Sequence, residues 1–276
     1  MENELIQEGH DIISTGFEGD AQQYESKLQS YLEKAEDIKK SDLAGYVAHR
    51  RVIIDLLEKV IQRQQGSKYV HESIIHKLIM PMRSDSKTVS PKGANLWLID
   101  ERLAFHDYFA SDKPIKSYPI MGSEDLQRPD FCSLNFFDQP IVIAESTQLP
   151  PASIQIVEIK RPMRDDFKPG EDHDPLEKVL GYLKKIREGG VQTLSGRPIP
   201  KSPNIPGFCF VLADLTPTLI DRCGVVDLTR TADGQGYFGY NKHYQAYIEV
   251  ISFDGLLKMA KERNRAFFDK LGLPAN

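Results

Sequence analysis

Apolar residues fall into a helical rhythm at the start of the chain. Over 21–39, Tyr24, Leu28, Tyr31, Leu32, Ala35 and Ile38 recur at steps of three and four with Glu and Lys between them, which predicts an amphipathic helix. A second helix is expected over 41–65, with Leu43, Val47, Ile54, Leu57 and Ile61 on its apolar face, Ser41 as N-cap and Gly66 as its stop. Two such segments in succession suggest a helical hairpin or a short coiled-coil segment, either packed on the main domain or serving as a dimerisation element or connector. A third short helix is expected over 70–80, ended by Pro81, followed by a loop over 82–93. The apolar run 96–100 leads into 101–111, which reads as helical, and 112–128 is irregular.

The pattern then turns strand-like. Residues 130–137 and 141–144 are candidate extended segments, and 154–160 (IQIVEIK) is a strand rich in β-branched residues. A charged loop covers 161–173. Asp174 caps a helix that has Pro175 at its first position and ends at Gly189 and Gly190. A buried strand over 207–214, a helix starting near 215, a strand pair at 237–240 and 247–252, and a helix over 253–271 complete the order. This alternation predicts an α/β fold with a mixed central sheet flanked by helices, preceded by the N-terminal helical hairpin. The expected division is an N-terminal helical segment over 1–66 and a main domain over 67–276. No repeat of 20–50 residues is visible.

Composition narrows the class. The chain has 276 residues, 40% hydrophobic and 27% charged, enough for a substantial core. With 35 basic and 40 acidic residues the formal charge is −5, which argues against a strongly basic coat protein while leaving local basic patches open. Three cysteines, Cys132, Cys209 and Cys223, each beside apolar residues, read as buried thiols and not as a disulfide or zinc framework. The polar N-terminus and the lack of a long apolar run lead to the expectation of a cytoplasmic protein with no membrane segment.

The candidate chemistry lies in Val157-Glu158-Ile159-Lys160. Side chains two apart on a strand share a face, so Glu158 and Lys160 project together, while Val157 and Ile159 bury on the other side. A charged pair inside an apolar strand is costly unless a ligand, a metal or a counter-ion accompanies it. Asp130 opens the preceding extended segment, and if the two segments pair, Asp130 and Glu158 converge. Two carboxylates with little nitrogen or sulfur suit Mg²⁺ or Mn²⁺. Lys160 beside such an ion fits charge stabilisation during phosphodiester hydrolysis.

Arg128-Pro129-Asp130 followed by Val157-Glu158-Ile159-Lys160-Arg161-Pro162 resembles the PD-(D/E)XK phosphodiesterase superfamily. The KRP ending and the helix DPLEKVLGYLKKI resemble its Shedu-type branch of bacterial anti-phage nucleases. Residues 95–114 are also similar to the C-terminal nuclease-like regions of bacterial histidine-kinase-like ATP-binding proteins. The resemblance covers about 70–275. It implies a restriction-endonuclease-like fold and a Mg²⁺- or Mn²⁺-dependent endonuclease, acting on DNA ahead of RNA. Asp130 and Glu158 would be the metal ligands and Lys160 the catalytic lysine. A helix glutamate would complete the set; Glu72 is preferred, because it lies on the helix opening the resembling region, with Glu101 the alternative. Where the family often carries a Gln near the start of the helix after the E-x-K strand, this chain has Lys178, and Tyr182 matches the aromatic residue common there.

Arg161, Arg164, Lys168 and Lys178 form a basic group after the strand, expected to meet a nucleic-acid backbone. The C-terminal helix adds Lys258, Lys261, Arg263, Arg265 and Lys270 against Glu262 and Asp269. No ATP-binding motif is visible, so partners are expected to be nucleic acid and either a second copy or a separate ATPase or sensor chain. The alternative is a catalytically inactive module of the same fold that binds nucleic acid or assembles a complex; a third reading is an interaction module without phosphate chemistry. His106-Asp107 alone is poor support for an HD phosphohydrolase. His71 and His76, five apart, do not share a face as zinc ligands would and read as ordinary polar positions, and the glycines of 234–239 read as a turn into a strand.

Overall fold

The computed structural model describes residues 21–63, 68–89, 93–104, 106–119, 123–136, 152–170, 173–191 and 204–272. The expected strand at 141–144 lies outside them. The chain divides into two compact units, one made of 21–52 with 263–272, the other of 53–262 within these described residues. In the first, Arg50 is buried and its Nη1 donates to Asn264 Oδ1 at 3.0 Å while Nη2 donates to Tyr46 Oη. Arg51 lies 5.8 Å from the centre of the Phe268 ring.

The expected helical hairpin is replaced by one helix, α1, running Ala21–Ile61 over 41 residues. A hairpin needs a turn, and Lys39-Lys40-Ser41-Asp42 contains neither Gly nor Pro to make one. Ser41 is carried inside the helix, although it had the chemistry of an N-cap.

The second unit is built on an eight-stranded sheet. Its elements in chain order are α2 (Glu72–Ile79), β1 (Ser84–Asp85), β2 (Tyr108–Ser111), β3 (Phe131–Phe136), β4 (Ala152–Ile159), α3 (Pro175–Glu188), β5 (Gly207–Leu212), α4 (Pro217–Val225), β6 (Thr229–Arg230), β7 (Gly236–Asn241), β8 (Ala246–Ile251) and α5 (Phe253–Lys270), the last continuing into the first unit. The strand order is β1-β2-β3-β4-β5-β8-β7-β6. β1 to β4 run antiparallel, β4, β5 and β8 are parallel, and β8, β7 and β6 are again antiparallel. The expected α/β fold with a mixed sheet flanked by helices is thus present.

Two expectations need correction. Residues 101–111 form no α-helix: Glu101–Ala104 is a short 3₁₀ turn and Tyr108–Ser111 is β2. The four residues of β2 are all buried between β1 and β3, where hydrogen bonds on both sides outweigh a weak helical spacing. The expected loop 82–93 contributes the two-residue edge strand β1.

Strand parity sorts the core. Cys132, Leu134, Ile154, Ile156, Cys209, Val211, Ile248 and Val250 join α3 residues Leu176, Val179, Leu183 and Ile186 in one buried cluster, with Leu219 and Cys223 of α4. Phe131, Val157 and Phe210 alternate onto the other face, where α2 lies with the His76 ring 4.5 Å from that of Phe131. α3 is the crossover between the parallel pair β4 and β5. The three cysteines are buried thiols, as expected, and burial pushes those of Cys209 and Cys223 up to about 12.

Candidate functional site

β3 and β4 pair with Phe131 opposite Val157 and Cys132 opposite Ile156, so one further step of the register sets Asp130 opposite Glu158. Parity places Glu158 on the α3 face of the sheet, while Asp130, just before β3, stands at the end where β3 begins and β4 finishes, with its carboxylate also in reach of α2. The Asp130 carboxylate is held there by β4, whose Ile159 N–H donates to Asp130 Oδ2 at 2.7 Å. α3 holds the approach to Asp130. Tyr182 Oη donates to the Arg128 carbonyl at 3.0 Å, and Lys185 Nζ donates to Gln127 Oε1 at 2.7 Å.

Glu158 is 1% exposed, and Lys160 is buried beside it. Lys160 Nζ donates to Glu158 Oε1 at 2.5 Å, and Lys178 Nζ, from the first turn of α3, donates to the same oxygen at 2.6 Å. Glu158 Oε2 is buried with no hydrogen-bond partner. Burial pushes the Glu158 carboxyl above the ordinary carboxylate range and the Asp130 charge pushes further, while Lys160 and Lys178 pull the other way without cancelling the shift. Burial lowers the Lys178 ammonium, but the Glu158 charge and hydrogen bond outweigh it and hold Lys178 protonated above the usual lysine range. The Tyr182 phenol is raised by burial and by the same carboxylate.

α2 enters the site through a residue that sequence reasoning passed over. His76 is buried, its Nδ1 lies 3.4 Å from Asp130 Oδ1, and its Nε2 shares a 2.8 Å hydrogen bond with Ser111 Oγ. Ser111, His76 and Asp130 thus follow the order of an acyl-transfer triad, but Ser111 is 0% exposed, so no substrate carbonyl can reach its hydroxyl. The arrangement instead orients the Asp130 carboxylate. The signal for His76 was its place among apolar residues, between Ile75 and Ile79, where a polar side chain needs a partner. His71 is an exposed N-cap whose side chain accepts from Ser73 N–H.

The remaining candidates are spread out. Glu72 is half-buried at the start of α2, one turn before His76 and on its face. Glu101 sits elsewhere: its neighbours Asp100, Arg102 and Leu103 line a cavity of about 360 Å³ with Asn135 and Phe210. Asn135 is five residues along β3 from Asp130, roughly 17 Å at strand rise. Arg161 and Lys168 are exposed beyond β4. Arg164 is bound to Asp166 at 2.7 Å and lies 5.5 Å from the centre of the Phe167 ring. The loop carrying them is pinned to the segment after β5. Met163 N–H donates to Asp214 Oδ2 at 2.7 Å, and Thr218 N–H donates to Asp165 Oδ1 at 2.9 Å. His106 shares a 3.1 Å hydrogen bond with the Leu103 carbonyl, and burial lowers its pKa, as befits a histidine that packs.

Among the described residues no three His, Cys, Asp or Glu side chains gather to hold an ion. The acidic set is therefore the pair Asp130 and Glu158, and an ion there would fill its shell with water or phosphate oxygens, as Mg²⁺ commonly does. The unpartnered Glu158 Oε2 and the all-oxygen character of the pair fit such an ion.

No family model matches the chain, and comparison with curated proteins and with solved structures likewise returns no match.

Proposed function

We propose that the chain is a metal-dependent nuclease whose site is Asp130, Glu158 and Lys160. One observation carries this reading: Asp130, one step beyond the β3–β4 ladder, falls in line with Glu158, which has a buried lysine on one oxygen and leaves its other, buried oxygen without a partner. Asp130 and Glu158 would hold a Mg²⁺ or Mn²⁺ ion, which would supply Lewis acidity toward a phosphate oxygen and lower the pKa of a bound water. Lys160, fixed by burial, presents its ammonium to the charge that builds on the phosphoryl oxygens. Asp130 keeps its orientation through Ile159 N–H and His76. Arg161 and Lys168, exposed after β4, contact the nucleic-acid backbone; Glu72 of α2 stands outside the carboxylate pair and takes no part in this reading. DNA as substrate, a setting in anti-phage defence, and association with a second copy or with an ATP-using sensor chain rest on the PD-(D/E)XK and Shedu-type resemblance of Asp130 and Glu158-Ile159-Lys160-Arg161-Pro162.

A second reading is favoured by the charge balance of the same cluster. Lys160 and Lys178 offset Asp130 and Glu158, as an inactive descendant of the site would arrange. This reading keeps nucleic-acid binding and loses hydrolysis.

Incubation with supercoiled plasmid, linear DNA and RNA in Mg²⁺, Mn²⁺ and EDTA separates the two. The nuclease reading expects metal-dependent cleavage that falls by about 100-fold or more in Lys160→Ala and Asp130→Ala. Binding that persists without cleavage in any metal overturns it in favour of the inactive module.

A further inference from the structure

Glu158 Oε1 carries two ammoniums that differ in one respect. The Lys160 side chain is 7% exposed and lies in the interior, whereas that of Lys178 is 29% exposed and reaches Glu158 from the first turn of α3. Lys160 is the more enclosed of the two. Lys178 stands on a flexible four-carbon stem and can leave Glu158 by bond rotation alone. In its seat on Glu158, Lys178 Nζ also lies 5.7 Å from the centre of the Tyr182 ring, within cation–π range.

The charges make these two lysines unequal toward a divalent ion. Asp130 and Glu158 supply two negative charges, and Lys160 and Lys178 supply two positive ones around the same buried carboxylate oxygen. Adding a divalent ion while both lysines stay would leave a buried excess of positive charge, which low-dielectric surroundings penalise strongly. Moving Lys178 away relieves part of that excess and frees Glu158 Oε1 beside the already unpartnered Oε2.

We propose that Lys178 is a displaceable internal cation, which competes with the divalent ion for Glu158 and, once displaced, turns its ammonium toward the phosphate backbone of the substrate. The inference rests on the metal-site reading above and adds to it a control step. Metal and polyanion then bind cooperatively, because the phosphate rewards the position of Lys178 that the metal requires.

The test is Mn²⁺ titration, read from the electron paramagnetic resonance of free Mn²⁺, on the full chain and on Lys178→Met and Lys178→Arg. Lys178→Met is expected to bind Mn²⁺ at least tenfold more tightly than the unsubstituted protein, and Lys178→Arg to stay close to it. Equal or weaker binding by Lys178→Met overturns the inference. A second measurement needs no variant: acetylation of Lys178 by a water-soluble acylating reagent, followed by peptide mass spectrometry, with and without Mn²⁺. Severalfold faster labelling in Mn²⁺ is expected, and unchanged labelling overturns displacement. If Lys178→Met tightens Mn²⁺ binding but no nucleic acid is cut, the competition stands and the nuclease reading falls. If cleavage is metal-dependent and Lys178→Met leaves Mn²⁺ affinity unchanged, the nuclease reading stands and the competition falls. Failure of every form to bind Mn²⁺ overturns both.

Discussion

Asp85 and Glu158 are both nearly buried in the same sheet, and their surroundings drive them in opposite directions. Burial raises the Asp85 carboxyl, but the Lys113 ammonium, the Lys87 N–H and the Thr88 hydroxyl together outweigh it, so its pKa is lowered. At Glu158 burial prevails over two lysines. A lowered folded pKa means that the stability Asp85 contributes is present above the unfolded value, near ~3.9, and is lost as pH falls through the folded one. Glu158 has the reverse sign: its contribution is present below about 4.3 and is lost as pH rises through its folded value. Asp85→Asn is therefore expected to cost about 2 kcal/mol in urea unfolding at pH 7. The gap to the unsubstituted protein should close as pH falls below about 4; a gap independent of pH contradicts this account of Asp85. Among the site residues, Asp130, Glu158 and Lys160 could be read in the sequence because strand parity and a charged pair in an apolar run leave few alternatives. The hydrogen bond of Lys178 to Glu158 is signalled only by the resemblance, which sets Lys178 where the family often carries a Gln; spacing alone does not give the distance from α3 to β4. His76 was legible in principle, as a polar residue between buried isoleucines, but its partners Ser111 and Asp130 are 35 and 54 residues away.

At the scale of elements, α3 positions the site, and its start and stop were open to reading because capping is local. Asp174 accepts from Leu176 and Glu177 N–H, Pro175 fills the first position, and Gly189 follows the last turn. Arg222 of α4 adds an ion pair to Asp174 at 2.5 Å. What fixes α3 against the sheet is closeness at Gly207, the first residue of β5: a Cβ there would stand 2.3 Å from Leu183 Cδ2 and 2.9 Å from Cδ1. Gly207→Ala is expected to destabilise by about 1–3 kcal/mol through overpacking. Leu183→Ala alone should cost about 2–5 kcal/mol by leaving a cavity. The double variant should cost less than the sum of the two, since each removes the other's defect. Additive losses in denaturant unfolding would show that the helix does not meet the strand at this pair. Two elements depart from the local pattern, each for its own reason. Local spacing favours a helix over 101–111, and a cap-like serine favours a break at 39–42. Hydrogen bonding of β2 on both sides, in the first case, and the absence of any turn residue, in the second, decided otherwise.

At the scale of the molecule, the eight-stranded mixed sheet brings the end of a parallel strand, β4, beside the start of an antiparallel one, β3, and the charged cluster sits at that meeting point. Among the described residues no helix is long and apolar enough to cross a membrane. The chain carries a net charge of −5, so attraction to a polyanion has to come from local groups and not from the overall field. The central claim is that Asp130 and Glu158 share one divalent cation, with Lys160 beside it. Anomalous diffraction from a crystal of the full chain soaked in MnCl₂ tests it most directly. The account predicts a manganese peak bridging the Asp130 and Glu158 carboxylates, with Lys160 still against Glu158; a peak bound elsewhere, or full soaking with no peak at this pair, contradicts it.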